Sequence, residues 1–267
     1  MGLPMRVLTA LRSAFYLAYL VVTVIPYATA VLCLSWLPQT QRYWFTIVWP
    51  RIAVWGARWI CGIRWHVEGW DNLPQGPAIL LPKHQSTWET FWLPSMMPRK
   101  LSFVYKRELH RVPFFGWAFA TLGMINIDRS KGHSAFEQVV EQGRTHLAEG
   151  WWIVIFPEGT RTPPGSSRHY KTGGVRLAVT TGTPVVPIAL NSGECWPRKA
   201  FLKKPGEITV SIGPPIPIEG RSDRDIGSLV ESWIETEMRR LAPHRYSGPY
   251  VAAAPADSDS DERAHAT

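Results

Sequence analysis

The sequence contains little cysteine, and its cysteines follow no pattern that would bring them together. Only three occur in 267 residues, at positions 33, 61 and 195, and none form a CxxC pair. A disulfide framework needs paired cysteines, and a structural zinc site needs ligands at short spacing. We therefore expect neither a disulfide scaffold nor a metal site, and a reducing compartment is the default.

A long segment near the amino terminus lacks charge altogether. No Asp, Glu, Lys or Arg occurs between Arg12 and Arg42, and residues 13–37 are mostly apolar. Such a run is long enough to cross a bilayer, and a membrane helix tolerates a proline such as Pro26. We expect residues 13–37 to form a transmembrane or re-entrant helix. A cleaved signal peptide is the alternative, because small residues surround Ala30.

The GxSxG turn, which presents the nucleophilic serine of many lipases and esterases, is also missing. A hydrolase that works through a covalent acyl-enzyme is therefore disfavoured. It stays open as an alternative enzyme class that a serine-reactive probe would detect.

Positive charge and tryptophan are in excess: the formal net charge is +8 and the chain has 14 Trp residues. Tryptophans alternate with arginines over residues 42–65. Arginine makes a second full crossing costly, whereas a helix lying in the membrane interface accommodates both residue types. We therefore predict an interfacial helix at 42–65 and assign residues 1–70 to membrane-anchoring helices. A pair of helices buried in a protein core is the alternative.

These features point to a membrane as the negatively charged partner. Nucleic acid would also suit a basic chain, but the aromatic residues and arginines cluster beside the apolar segment, where a membrane already explains them. We expect membrane lipids and no nucleic acid as partners. The expected location is the cytoplasmic face of the inner or plasma membrane.

Beyond the anchoring region, residues 71–247 have the pattern of a soluble α/β domain. Short apolar runs typical of strands alternate with segments of helical periodicity. Strands are predicted at 77–82, 101–105, 123–127, 151–156, 184–190 and 207–212. Helices are predicted from 86, up to 111, and at 134–149, 174–181 and 222–241. Such alternation favours a sheet covered by helices on both sides. Residues 248–267 are poor in apolar side chains and are expected to be disordered.

The motif KHQSTWE at residues 83–89 lies where a strand ends and a helix begins. Ligands tend to bind at such strand ends in α/β sheets. A carboxylate at Glu89 can hold one ring nitrogen of His84, so that the other nitrogen accepts a proton from a hydroxyl. The same residues also match a capping box, in which Glu89 bonds back to the start of the helix. The motif alone leaves catalysis and capping open.

Three further segments place basic residues at strand ends. The turn FPEGTR at 156–161 follows a buried strand and carries a carboxylate, a hydroxyl and an arginine. The segment GMINIDR ends at Arg129, and Lys106 begins a basic run. A single such residue is usually solvated, whereas three from separate strand ends would form an anion site.

Together these segments resemble the four ordered blocks of the glycerolipid acyltransferase family. The blocks are residues 84–89, 123–129, 156–161 and the VPIA segment at 186–189. The resemblance implies a mixed β-sheet flanked by helices, preceded by N-terminal membrane helices. It implies His84 as the general base, assisted by Glu89. One departure is that the commonest family form has Asp where this chain has Glu89.

The resemblance also implies a substrate site and a reaction. Lys106, Arg129 and Arg161 would hold a substrate phosphate, while Glu158 and Gly159 would help to place the glycerol. Thr160 is counted with these substrate-binding residues.

The implied reaction moves a fatty acyl group from an acyl thioester to the sn-2 hydroxyl of lysophosphatidic acid, giving phosphatidic acid in phospholipid biosynthesis. The thioester would be acyl-CoA or acyl-carrier protein, a co-substrate, with no other cofactor. A glycerol 3-phosphate or lyso-aminolipid acceptor, or a non-catalytic lipid-binding role, remains open at this point.

Overall fold

The structure, a computed structural model, describes residues 2–127 and 133–251, apart from the side chains of residues 106, 107, 115 and 133–135. The helices in this part of the chain are α1 (Leu3–Cys33), α2 (Gln39–Thr46), α3 (Val48–Gly56), α4 (Trp88–Met96), α5 (Phe115–Ala120), α6 (His133–Ala148), α7 (Gly173–Thr181) and α8 (Asp223–Leu241). The strands are β1 (Ile63–Glu68), β2 (Ile79–Pro82), β3 (Leu101–Phe103), β4 (Tyr105–Lys106), β5 (Asn126–Ile127), β6 (Trp152–Val154), β7 (Val185–Leu190) and β8 (Gly206–Ile212).

Six of the strands form one mixed sheet in the order β1-β8-β7-β2-β6-β3, and β4 and β5 form a separate parallel pair. The strands β7, β2, β6 and β3 run parallel to one another. In contrast, β8 runs antiparallel to β7 and pairs with β1 in parallel. The predicted α/β fold with a mixed sheet is confirmed.

The central strands are buried on both faces, and their residues alternate between two cores. Leu80 and Val154 belong to the core that contains Tyr16 and Trp88, whereas Ile79 and Ile153 belong to the core beneath α7 and α8. This alternation follows from the two-residue repeat of a strand. It explains why these strands are short apolar runs, since parallel strands covered by helices on both faces expose neither side.

The helix α1 is longer than predicted and begins earlier, at Leu3 rather than at residue 13. It has 31 residues and ends at Cys33, so residues 34–37 lie outside it. It is long and apolar enough to cross a membrane. Only 17% of the residues in its most apolar 18-residue stretch are buried. That exposure argues against the alternative of a helix buried in the core.

One side of α1 is nevertheless fixed to the rest of the protein. The hydroxyl of Tyr16, fully buried, donates to the carbonyl of Ala53 at 2.8 Å. The backbone N–H of Lys203 donates to the hydroxyl of Ser13 at 2.9 Å. These contacts favour a retained helix over a cleaved signal peptide.

The prediction of one interfacial helix at 42–65 is wrong at its carboxyl end. Two helices, α2 and α3, and a π-helical turn at Ala57–Cys61 cover this region, and the chain then enters β1. Gly62, with a φ of 72°, ends the helical run, because glycine adopts this left-handed conformation at little steric cost. The sheet therefore begins at Ile63, ahead of the predicted boundary at residue 71.

Most other predicted elements lie within a few residues of their expected positions. The helix predicted from residue 86 begins at Trp88, and the strand predicted at 123–127 is reduced to Asn126–Ile127. The helix α8 begins at a capping box in which Ser222 and Asp225 bond reciprocally, close to the predicted start at residue 222. The helix α5 was not predicted. Most of the tail predicted to be disordered, residues 252–267, lies outside the described residues.

Candidate active site

Three neighbouring parallel strands end at the same edge of the sheet, and the predicted motifs follow them. His84 is the second residue after β2, Glu158 follows β6 on one side, and Ser192 follows β7 on the other. Parallel strands present their carboxyl ends together, so loops far apart in sequence meet there. The candidate active site is built on this edge.

His84 and Glu89 face each other at this edge. Nδ1 of His84 lies 4.0 Å from Oε2 of Glu89, and the His84 side chain is 14% exposed whereas that of Glu89 is fully buried. His84 lies on the loop before α4, and Glu89 lies in its first turn. No described residue hydrogen-bonds to Nδ1 of His84. The separation must shorten by about 1 Å to form a hydrogen bond, a change common between free and substrate-bound sites.

The Glu89 carboxylate also caps the helix, so the two roles are combined. Its Oε1 accepts hydrogen bonds from the backbone N–H groups of Gln85 at 2.7 Å and Ser86 at 2.8 Å. The hydroxyl of Ser192 donates to the same oxygen at 2.7 Å. The N–H of Ser86 also donates to Oε2 at 3.0 Å, and together these donors fix the carboxylate with Oε2 toward His84. The capping contact therefore orients the carboxylate toward the histidine.

Burial shifts the pKa values of the two groups in opposite directions. It lowers the pKa of His84 to about 3, and the positive charges of Arg161 and Arg198 add to this shift. It raises the pKa of Glu89 to about 7, opposed by the hydrogen bonds from Ser192 and the backbone. At neutral pH the imidazole is therefore uncharged, which is the form that can accept a proton.

Glu158 holds the loop that carries His84. Its Oε2 accepts from the backbone N–H of His84 at 2.7 Å, and its Oε1 accepts from the hydroxyl of Thr162 at 2.9 Å. The N–H of Thr162 in turn donates to the carbonyl of His84 at 2.8 Å. Glu158 is fully buried, and Lys83 forms an ion pair with it. In this structure Glu158 therefore positions His84, and its predicted contact with the glycerol moiety stays a prediction.

Arg161 lies near the histidine, and its predicted contact with a substrate phosphate stays a prediction. Its Nη1 donates to the hydroxyl of Thr87 at 2.5 Å. Arg198, an exposed residue, donates from Nη1 to the carbonyl of Arg161 at 3.0 Å. The charges of both arginines act on the His84 ring. Two guanidinium groups therefore lie beside the candidate base, where they can bind an anion.

The structure describes only some of the remaining predicted site residues. Gly159 has a φ of 66°, a conformation that favours glycine, and it lines the cavity described below. Thr160 is partly buried in the same turn. Arg129 lies outside the described residues, and so does the side chain of Lys106. Their roles stay predictions.

An apolar cavity of about 650 Å³ opens beside His84. Its wall is formed by residues of α1, α3, α4, α5 and the strand ends, including Ala28, Val31, Trp49, Phe91, Phe119 and Phe156. His84 lines it, with its ring stacked on Phe156 at a centroid distance of 3.8 Å. The cavity suits a long apolar chain with a reacting group at the histidine.

Sequence reasoning missed several residues of the site. Ser192 and Arg198 follow β7, and Lys83 stands next to the predicted base. Their types are common and no local motif marks them. The strand end after Leu190 was the one available signal, since the other motifs also follow strand ends.

Comparison with known proteins is consistent with this geometry. A family model described as Acyltransferase matches residues 64–191. The 1-acyl-sn-glycerol-3-phosphate acyltransferase of Pseudomonas aeruginosa is 46% identical over 211 residues, covering 78% of this chain and 82% of that protein. The human 1-acyl-sn-glycerol-3-phosphate acyltransferase alpha is 30% identical over 185 residues, covering 68% of this chain and 65% of that protein.

A solved structure supports the fold. The crystal structure of the 1-acyl-sn-glycerophosphate (LPA) acyltransferase PlsC from Thermotoga maritima matches with a TM-score of 0.75, at 22% sequence identity. The match covers 91% of this chain and 100% of that chain. The predicted resemblance is confirmed by the sequence relatives: the chain belongs to the glycerolipid acyltransferase family.

Proposed function

We propose that this enzyme transfers a fatty acyl group from an acyl thioester to the sn-2 hydroxyl of lysophosphatidic acid, giving phosphatidic acid. The observation that carries the proposal is the His84–Glu89 pair at an apolar cavity, in a chain 46% identical to a 1-acyl-sn-glycerol-3-phosphate acyltransferase. A lysophospholipid acceptor and an acyl donor are thus its two substrates.

In the proposed reaction His84 acts as a general base. Its Nε2 removes the proton of the acceptor hydroxyl while Nδ1 faces Glu89, whose charge stabilises the imidazolium that forms. The acceptor oxygen attacks the thioester carbonyl, the C–S bond breaks, and the imidazolium returns its proton to the thiolate. No acyl-enzyme is required. The donor is acyl-CoA or acyl-carrier protein, and we propose no further cofactor.

The acceptor phosphate is proposed to bind at Arg161 and Arg198, together with the predicted Lys106 and Arg129. Because the charges of Arg161 and Arg198 lower the pKa of His84, a bound phosphate would offset them and raise it. Acceptor binding would then strengthen the base that the reaction needs.

Arg161→Ala should raise the KM for lysophosphatidic acid about 10- to 100-fold, because a charge-assisted contact contributes about 1.5–3 kcal/mol. With monoacylglycerol, which has no phosphate, the variant and the wild type should react at similar rates. Steady-state kinetics with both acceptors would test this. Arg224→Ala, at the exposed start of α8, is the control. An unchanged KM for lysophosphatidic acid would exclude Arg161 from the phosphate site.

The apolar cavity is proposed to receive the acyl chain of the donor. Its wall includes Ala28 and Val31 of α1, both buried, and most of the other residues that line it are apolar. Each methylene buried there would contribute about 0.8 kcal/mol, so cavity depth would select chain length.

Ala28→Phe should therefore shorten the preferred donor chain by roughly two to four methylenes, because the ring occupies part of the cavity. Competition among acyl-CoA donors of about 10 to 18 carbons would measure this shift, because each methylene outside the cavity loses its burial energy. Val22→Phe, on the exposed side of the same helix, is the matched control. If only the preference for the acceptor's acyl chain shifts, the cavity holds the acceptor's chain instead. If neither the donor preference nor the acceptor preference shifts, the cavity binds neither chain.

A membrane location is consistent with the exposed apolar side of α1, and we propose the cytoplasmic face, where acyl-CoA and acyl-carrier protein occur. The basic chain suits anionic lipids at that surface. The exposed Trp44, Trp55 and Trp59 would lie at the interface.

An acyl-transfer assay with detergent-purified protein tests the proposal. Lysophosphatidic acid and glycerol 3-phosphate would be offered side by side, with a long-chain acyl-CoA and then acyl-carrier protein as donor. Product from lysophosphatidic acid alone is expected. Product from glycerol 3-phosphate instead would keep the chemistry and change the acceptor, and no product with any donor would contradict acyl transfer.

A further inference from the structure

Beneath the loop of His84 lies a cluster of four charged side chains, Lys83, Glu158, Glu235 and Arg239, here called the buried quartet. Nζ of Lys83 lies 2.7 Å from Oε1 of Glu158 and 2.6 Å from Oε1 of Glu235. Nη1 of Arg239 lies 3.5 Å from Oε2 of Glu235. The side chains of Lys83, Glu158 and Glu235 are fully buried, and that of Arg239 is 21% exposed.

The quartet has two positive and two negative charges, so its net charge is zero. Burial alone would lower the pKa of Lys83, but the carboxylates of Glu158 and Glu235 outweigh it and raise that pKa. Buried ion pairs often contribute little net stability compared with well-packed apolar residues. Stability alone is therefore a weak reason for four charges at this place.

The quartet ends on the backbone of His84. Glu158 accepts from the N–H of His84 at 2.7 Å, and Thr162, which donates to Glu158, also donates from its N–H to the His84 carbonyl. An unbroken chain of polar contacts thus runs from Glu235, through Lys83 and Glu158, to both sides of the candidate base. Glu235 lies on α8, outside the residues 64–191 matched by the family model.

We propose that Glu235 is a positioning residue, which holds His84 in its reactive place through Lys83 and Glu158. This inference rests on the proposed function, in which His84 is the general base. With Glu235 present, the Lys83 ammonium is shared between two carboxylates. Without it, the ammonium moves toward Glu158 and shifts the oxygen that holds the His84 backbone. A misplacement of about 1 Å lowers turnover up to about 100-fold.

Glu235→Gln is the variant that isolates this effect. Glutamine keeps the size of the side chain, and its carbonyl can still accept from the hydroxyl of Tyr170, which donates to Glu235 at 3.0 Å. Lys83 and Glu158 stay as a neutral pair, while Arg239 can reach solvent. We expect a folded protein in which kcat falls about 10-fold or more and the KM values of both substrates change less than two-fold.

Glu237→Gln is the matched control on the same helix. Glu237 bonds to Ser211 and Arg240 and has no contact with the buried quartet among the described residues. It should lose a similar amount of thermal stability without a change in kcat. If Glu237→Gln lowers kcat as much as Glu235→Gln at an equal loss in Tm, the effect is one of stability and the proposal is wrong.

A second measurement does not depend on activity. The imidazole signals of His84 in NMR spectra, assigned by their loss in His84→Ala, should shift in Glu235→Gln and stay in place in Glu237→Gln. Unchanged His84 signals, or a kcat for Glu235→Gln within two-fold of wild type, would overturn the proposal. If the wild type shows no His84-dependent transfer, the proposed function fails, and the NMR comparison still decides whether Glu235 positions His84.

Discussion

His84→Ala should lower kcat for acyl transfer by about 10²- to 10⁴-fold, the range that a positioned general base contributes. The structure gives the reason: His84 is the neutral imidazole that lines the cavity and faces a carboxylate. The KM for lysophosphatidic acid should change little, because the phosphate contacts lie on the arginines. Rates measured with purified enzyme, lysophosphatidic acid and a long-chain acyl-CoA give the result directly.

His66→Ala is a suitable control for this variant, since His66 is exposed on β1. It should retain wild-type turnover. The melting temperatures of the two variants should both stay close to that of the wild type, so that a loss of turnover in His84→Ala reflects chemistry. Near-normal turnover in His84→Ala would end the proposal that this residue is the base.

Glu89→Gln should lose most of the activity, whereas Glu89→Asp should keep much of it. The amide has no charge to stabilise the imidazolium of His84, while aspartate retains the charge with a shorter reach. Glutamine also directs an NH2 group at a site where Gln85, Ser86 and Ser192 all donate to the carboxylate. We therefore expect a loss of about 1–3 kcal/mol in the free energy of unfolding as well.

Kinetics and thermal denaturation on both variants separate the two roles of Glu89. If Glu89→Gln matches the wild type in turnover and loses only stability, Glu89 serves as a helix cap and nothing more. If both variants lose activity in proportion to their loss of stability, local folding explains the result.

The pH dependence of the wild type offers an independent test of the pair. As the pH falls through about 7, Glu89 takes up a proton and loses its charge, so kcat/KM should decline toward lower pH. His84, with its pKa lowered to about 3, stays neutral over that range and cannot produce the decline. Glu89→Gln should lack this decline. A wild-type profile that is flat between about pH 5 and 8 would contradict the role of Glu89.

Local sequence predicted the sheet and the helices that follow it because their periodicity is strong. The strands around Leu80, Ile153 and Val186 are short apolar runs between turn residues, and all three lie in the sheet. The strand β1 was missed because its Trp and Arg continue the pattern of the preceding helices. Only its pairing with β8, more than 140 residues away, makes it a strand. Gly62 was the one local sign of the change.

The sequence also predicted part of the candidate active site. His84, Glu89 and Arg161 lie together because each follows a strand end, a feature that a sequence reveals. The contact between Glu158 and the His84 backbone was not predicted, because Glu158 is paired with Lys83, which also bonds to Glu235, 152 positions away. Contacts between residues so far apart in sequence become visible only in the folded structure, because no local pattern marks them.

The position of α1 has a practical consequence for protein production. Membrane enzymes are often made soluble by deleting an anchoring segment, on the assumption that the remaining domain is complete. Here Val24, Tyr27, Ala28 and Val31 of that segment form part of the cavity wall. A truncated protein that begins after residue 37 would lack this wall and leave the cavity open to water on one side. Loss of activity in such a protein would say nothing about whether the reaction requires a membrane.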